Sequence, residues 1–270
     1  MTRATGRPAA FFDLDKTIIA TSSTLAFSKP FQAGGLISRR AVLRSAYAQF
    51  VFHAGGADHD QMEKMREFLS ALCAGWDVQT VREIVADTLH NVVDPLVYDE
   101  AVSLIDQHHL AGRDVIIVSA SGAEVVEPIG EMLGADGVVA TRMRIVDGHY
   151  TGEIDYYAYG EHKGAALQRL AEENDYDLSL SYAYSDSITD IAMLEAVGHP
   201  CAVNPDRDLR REAVARGWPV LVFTRPVALR SRMRLPRGKP TIAAIALGTA
   251  AAVGGTAYAV VRRRVLRSRI

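Results

Sequence analysis

Cysteine is scarce in this 270-residue chain: only Cys73 and Cys201 occur. Two residues so far apart suit neither a zinc-type cluster nor a disulfide framework, and they fit a reducing compartment. Met1 to Pro8 holds no apolar run long enough for a signal peptide, so the bulk of the chain is expected to stay in the cytoplasm. Acid is missing from one end. Residues 225–270 carry 11 Lys/Arg and no Asp or Glu, which leaves 19 Lys/Arg against 32 Asp/Glu in residues 1–224, a balance of −13 behind a formal net charge of −2. An acidic body argues against nucleic acid as a partner, whereas the basic end suits an anionic surface. No internal repeat and no low-complexity stretch precedes residue 225. The length fits one large domain, or a core with an inserted subdomain. With 49% apolar and 23% charged residues, the composition is that of an ordinary globular protein.

Against those absences stands one organising stretch, Ala10-Phe11-Phe12-Asp13-Leu14-Asp15-Lys16-Thr17. The apolar run from Ala9 to Phe12 reads as a buried strand that ends in two carboxylates. Side chains alternate along a strand, so Asp13 and Asp15 point the same way if the extended geometry persists. Like charges that close are costly unless a cation compensates, which suggests a metal-assisted reaction centre. Two solvated acids at a polar strand end are the plainer reading of these two residues alone.

The pattern then becomes helical. Ala41 to His53, His59 to Ala74 (Met62, Met65, Phe68, Leu69, Leu72) and Val78 to Leu89 after an Asp77 N-cap have the spacing of amphipathic helices. Residues 20–92 are expected to form a small helical insert without strands of its own. Strands and helices alternate from there. The expected order is helix 99–111, strand 115–118, helix 124–133, strand 137–140, and a hairpin over 142–154 turning at Asp147-Gly148. Helix 161–174, strand 180–184, helix 188–197 and strands 201–203 and 220–223 follow. This alternation predicts an α/β fold, a doubly wound and mostly parallel sheet with helices on both faces. Such sheets bind ligands at the carboxyl ends of their strands.

Three more strand or helix ends carry polar groups. Ser119-Ala120-Ser121-Gly122 follows strand 115–118, and a hydroxyl with backbone N–H groups at such a turn forms a cradle for phosphate oxygens. An ordinary helix N-cap is the alternative, more so for Ser121 than for Ser119. Asp186 and Asp190, four apart after strand 180–184, can converge on a hard cation such as Mg²⁺, or simply favour a helix N-terminus. Lys163 opens a helix, where an isolated lysine is usually solvated.

In this order, a strand-end Asp13-x-Asp15, a strand-end Ser119, a helix-start Lys163 and Asp186-x-x-x-Asp190 resemble the haloacid dehalogenase phosphatase superfamily. The resemblance runs roughly from residue 10 to residue 223. The helical insert looks like the cap of the subgroup that contains phosphoserine phosphatases. The form Tyr184-Ser185-Asp186-Ser187-Ile188-Thr189-Asp190 is closer to that subgroup's less characterised members. The resemblance implies a core over 8–19 and 93–224 and a cap over 20–92. It implies that Asp13 is the nucleophile and Asp15 the general acid and base. Mg²⁺ would be held by Asp13, the backbone carbonyl of Asp15 and Asp186, with Asp190 in support. Thr17, Ser119, Ala120 and Lys163 would serve the phosphoryl group of a phosphomonoester.

The substrate is less legible. Ile18 to Ser23 offers hydroxyls, with no acid before Asp58 to read the ammonium of phosphoserine. The apolar, aromatic stretch Leu43 to His53 is either cap core or an entrance for a lipid. Thr241 to Val261 is uncharged, about 31 Å long as a helix and close to the thickness of a bilayer's hydrocarbon. A basic linker (225–240) and a basic tail (262–270) flank it, so a C-terminal membrane-associated or spanning helix is expected, docked on an anionic membrane. The sequence thus leads to a phospholipid phosphatase at the inner membrane face. A tethered phosphatase of phosphoserine or another small metabolite, and a non-catalytic scaffold, are the alternatives.

Overall fold

The computed structural model of the protein describes residues 6–37, 70–224 and 226. Its centre is strand β1 (Ala9–Phe12), a wholly buried run of Ala-Ala-Phe-Phe. Beside it lie β2 (Asp114–Gly122), β3 (Gly137–Val146), β4 (His149–Tyr156), β5 (Tyr182–Ser185), β6 (His199–Val203) and β7 (Val220–Leu221). The order across the sheet is β4-β3-β2-β1-β5-β6-β7. Every pairing is parallel except β3 with β4. The chain winds outward from β1 to β4 on one side and returns to β5 on the other. The switch in winding direction therefore falls at β1, and a crevice opens beyond its carboxyl end.

Alternation along β1 divides the core in two. Ala10 and Phe12 join Val115, Ile117, Tyr184 and Val203 on one face. Ala9 and Phe11 join Ile116, Val118, Ala183 and Ala202 on the other. Burying both faces explains why these strands read as continuous apolar runs. Each fully buried Phe of β1 contributes about 2–3 kcal/mol of transfer free energy. The helices that cover the sheet include α3 (Val78–Val93), α4 (Asp99–Leu110), α5 (Ala123–Leu133), α6 (Glu161–Asn174), α7 (Ile191–Glu195) and α8 (Arg207–Arg216). Two short helices, α1 (Ser23–Ala26) and α2 (Ser28–Ala33), follow β1.

The sequence expectations hold for most elements, and the departures have local causes. Strand β5 starts at Tyr182 rather than Leu180, because the Asp177 carboxylate accepts from Ser179 N–H and winds Leu178–Leu180 into a 3-10 turn. Strand β2 continues past Val118 to Gly122, through a register shift against β3 after Ser119. The expected strand 137–140 and the first arm of the hairpin are one element, β3. Its turn is as expected, with Asp147 at φ 49 and Gly148 at φ 78, the pair of positive φ values a tight hairpin needs. Helix 188–197 is a 3-10 turn over Ile188–Asp190 followed by α7. The last strand is shorter than expected, Val220–Leu221.

Of the helical insert, the structure describes 20–37 and 70–92; the helix expected over 41–53 and most of the one over 59–74 lie outside the described residues, and 70–73 are helical. Asp77 caps α3 as expected, accepting from Thr80 N–H at 2.6 Å. The insert is not independent of the sheet. Val78, Val81, Val85 and Leu89 of α3 share a core cluster with Phe12 and Ile117. Residues 75–78 also bond the hairpin: Gly75 N–H donates to Tyr150 O, Tyr150 N–H to Trp76 O, and Val78 N–H to Gly148 O. The linker 225–240 apart from Pro226, the uncharged run 241–261 and the tail 262–270 lie outside the described residues. Among the described residues no helix is long and apolar enough to cross a membrane.

Candidate active site

The carboxyl ends of β1, β2 and β5 and the start of α6 bring the expected polar residues together. Asp13 follows β1 directly, and its N–H donates to Tyr184 O of β5 at 2.9 Å, which extends the ladder to the carboxylate itself. The chain then wraps around the Leu14 carbonyl, which accepts from Thr17, Ile18 and Ile19 N–H. Lys16 takes a left-handed conformation in this turn, φ 62. A non-glycine residue there costs about 1–3 kcal/mol, and such strain concentrates at functional sites. The wholly buried Thr17 hydroxyl donates to Asp13 Oδ2 at 3.2 Å.

Lys163 arrives from the other direction. Gly160, at φ 56, turns the chain into α6, so that Lys163 points inward where it is 2% exposed. Its ammonium donates to Asp13 Oδ1 at 2.7 Å and to Asp190 Oδ2 at 2.8 Å. Asp190 Oδ2 also accepts from the Ser185 hydroxyl at 2.7 Å. Lys163 is therefore held among acids and is not solvated. Asp190 is engaged with the lysine and Ser185, a supporting place, while Asp186 is buried beside them.

The electrostatics follow from this crowding. Burial pushes Asp13 up to about 7, with Asp190 and Asp15 adding to the rise and Lys163 opposing it. Burial likewise raises Asp186 to about 8, Asp13 being the next cause and Lys16 and Lys163 working against it. Asp15 is raised by burial and held back by hydrogen bonds from Ser23 and Ser121. Burial disfavours the Lys163 charge, yet Asp13 and Asp190 outweigh it and the ammonium is strengthened overall. Ammonium and carboxylate thus respond unequally to one contact, because Asp13 also faces other acids. A buried acid such as Asp186, raised by burial and by the neighbouring Asp13 carboxylate, is one whose ionised form a divalent cation would favour. Among the described residues no group of three or more His, Cys, Asp or Glu side chains is gathered as a metal site.

Ser119 is 1% exposed at the end of β2, and its hydroxyl accepts from Ser121 N–H at 3.2 Å. The Ala120 carbonyl accepts from the Thr141 hydroxyl at 2.7 Å, which steadies the turn. Ser121 is not the helix cap: Gly122 holds that position without a side-chain bond. The Ser121 hydroxyl reaches Asp15 instead, and Ser23 joins it. Sequence reasoning gave neither serine a role in the site, since their partners are distant in the chain.

Comparison with known proteins identifies the family. Residues 10–195 match the family profile described as haloacid dehalogenase-like hydrolase. A Streptomyces azureus protein named for inhibition of morphological differentiation is 66% identical over 262 residues, covering 96% of this chain and 95% of that one. A probable phosphatase of Mycobacterium tuberculosis is 60% identical over 258 residues, covering 95% of this chain and 90% of that one. Among solved structures, a Bordetella pertussis protein of unknown function is similar at a TM-score of 0.70 and 29% identity, over 80% of this chain and 99% of that one.

Proposed function

Because the chain belongs to the haloacid dehalogenase-like hydrolase family, we propose that it is a phosphatase that cleaves phosphomonoesters through a phosphoaspartate on Asp13. The observation that carries this reading is the buried pairing of Asp13 with Lys163 at 2.7 Å, with Asp15 two residues further on. An Asp13 oxygen attacks phosphorus as the ester oxygen leaves with a proton from Asp15. Asp15 then takes a proton from the water that cleaves the phosphoaspartate. Ser119, the Ala120 N–H and Lys163 receive the phosphoryl oxygens, and Thr17 steadies the nucleophile. Asp13, Asp186 and the Asp15 carbonyl would hold Mg²⁺, with Asp190 in support. When bound, the cation supplies the positive charge that lets a carboxylate approach a phosphate dianion.

The substrate we favour is a phospholipid phosphate at an anionic membrane face. Support comes from the sequence: the uncharged run 241–261 lies between Arg230, Arg232, Arg234, Arg237 and Lys239 on one side and Arg262, Arg263 and Arg264 on the other. Each basic residue near such a surface is attracted by about 1 kcal/mol.

The test is Mg²⁺-dependent phosphate release from phosphoserine, small esters and phospholipid phosphates in mixed micelles. Full-length protein, a chain ending at Thr224 and Asp13→Asn would be run side by side. Lipid phosphates cleaved only by the full chain support both parts of the reading. Equal cleavage of a soluble ester by both chains removes the membrane part. Full activity in Asp13→Asn removes the phosphoaspartate, and no release from any ester, with no beryllofluoride binding at Asp13, leaves a scaffold.

A further inference from the structure

Both oxygens of the Asp15 carboxylate are tied. Ser23 N–H donates to Oδ1 at 2.8 Å, and the Ser121 hydroxyl donates to Oδ2 at 3.0 Å. The Ser23 hydroxyl, wholly buried, donates in turn to Ser121 Oγ at 2.7 Å. While Asp15 is ionised its carboxylate only accepts, and in that state the chain runs from Ser23 to Ser121 to Asp15. Each hydroxyl has one proton, and each is committed.

The two serines come from different parts of the molecule. Ser121 stands in the irregular end of β2, where the register against β3 shifts between Ser119 and Gly122. Such irregularities re-aim side chains near sites. Ser23 is the first residue of α1, where the chain leaves the β1 turn for the helical insert, and Ser22 provides no side-chain cap. The Ser23 N–H, one of the helix-start donors that have no intrahelical acceptor, goes to Asp15.

We propose that Ser121, braced by Ser23, is a positioning residue that holds the Asp15 carboxylate in the one orientation from which it passes a proton to the departing oxygen and takes one from the attacking water. The proposal rests on the reading of Asp15 as the acid–base group. In the first step the Asp13 oxygen–phosphorus bond forms, the ester phosphorus–oxygen bond breaks, and the Asp15 proton moves to the departing oxygen. In the second the water oxygen bonds phosphorus, its proton moves to Asp15, and the bond between Asp13 and phosphorus breaks. A carboxylate free to rotate is misaimed for part of the time in both steps. Geometry of this kind is where much of an acid–base group's roughly 10²–10⁴-fold effect resides.

p-Nitrophenyl phosphate separates the two steps, because its leaving group departs as a stable anion without the Asp15 proton. In Ser121→Ala, the first-turnover burst of p-nitrophenolate should keep the wild-type rate while steady-state turnover falls about 10-fold or more. With an alkyl phosphate the first turnover should slow as well. Ser121→Thr, which keeps the hydroxyl, should restore both, and Ser23→Ala should show the same pattern more weakly. Burst and turnover falling together, or neither changing, would overturn the proposal in favour of a purely structural serine. If the wild-type protein releases no phosphate from any ester, the phosphatase reading itself fails. Crystal structures of wild type and Ser121→Ala then decide the brace: a rotated Asp15 carboxylate supports it and an unmoved one overturns it.

Discussion

Lys163 Nζ lies 2.7 Å from Asp13 Oδ1 and leaves Oδ2 of the same carboxylate to the Thr17 hydroxyl at 3.2 Å. The Asp13 carboxylate is therefore held at both oxygens, and the ammonium offsets an acid cluster that also includes Asp190. Removing one partner of a buried pair typically costs about 3–5 kcal/mol, because the other is left uncompensated. We expect Lys163→Met to lose about that much stability in urea unfolding and at least about 10²-fold in kcat, the scale of a lost transition-state donor. An unchanged urea midpoint would mean that the acids find other compensation.

Cation binding and pH should be linked through Asp13 and Asp186. Their carboxyls are raised from 3.8 to about 7 and about 8, chiefly by burial. The folded protein then retains protons that the unfolded chain has already released. The resulting stabilisation is full below the unfolded value and is lost as pH rises through the folded ones, so the cation-free protein weakens between 3.8 and about 8. A divalent cation needs both groups ionised, so its affinity rises over the upper part of the same window. Mg²⁺ should raise the thermal midpoint little at pH 6 and clearly at pH 8.5, EDTA should abolish the gain, and Asp13→Asn should flatten the difference. An equal gain at both pH values would place the cation elsewhere.

What could be read from the sequence was local. Ala9 to Phe12 announced a buried strand, and Asp147-Gly148 can hardly be other than a hairpin turn, because both residues tolerate positive φ. The site residues were legible because each stands at the end of an apolar run or the start of a helix. Ser121 was not, since its partner Asp15 is 106 residues away and no short pattern records that contact. Helix α8 escaped for a different reason. Only Leu209 and Ala213 of Arg207–Arg216 are buried, a stripe too narrow for periodicity to register, although the Asp206 cap and the left-handed Gly217 bracket it. Strand β5 was misplaced by two residues because a side-chain bond at Asp177 overrode an apolar start.

Beneath the sheet, His108 offers a second pH-dependent term of the opposite sign. The Arg113 guanidinium can only donate, and its Nε–H meets His108 Nδ1 at 2.7 Å, so the ring keeps its hydrogen on Nε2 and donates to Tyr184 Oη at 2.9 Å. Burial, then the charge of Arg113, lowers His108 from 6.5 to about 4. A histidine depressed in this way contributes stability that is present above 6.5 and is lost as pH falls toward about 4, since the unfolded chain takes up the proton first. The difference in urea midpoint between wild type and His108→Gln should therefore shrink as pH falls from 7.5 to 5. A constant difference would show that folded and unfolded chains take up the His108 proton alike, so that folding does not lower it.

Gly164 sets the distance on which the Lys163 contacts depend. A Cβ at this position would stand 2.8 Å from the Ala192 carbonyl oxygen, so only glycine lets α6 approach α7 this closely. Lys163 precedes it and reaches Asp190, the residue immediately before α7, at 2.8 Å. Overpacking of this kind costs about 1–3 kcal/mol and forces the backbone to shift. Gly164→Val should therefore lower stability by that amount and, by moving Lys163 away from Asp190, lower kcat more than KM is raised. Gly164→Ala, with one carbon to accommodate, should fall between the two. Phosphate release and thermal unfolding measured on the same three proteins test this directly. If Gly164→Val loses stability but keeps full turnover, the lysine reaches its acids without help from the α6–α7 spacing, and Gly164 matters for packing alone.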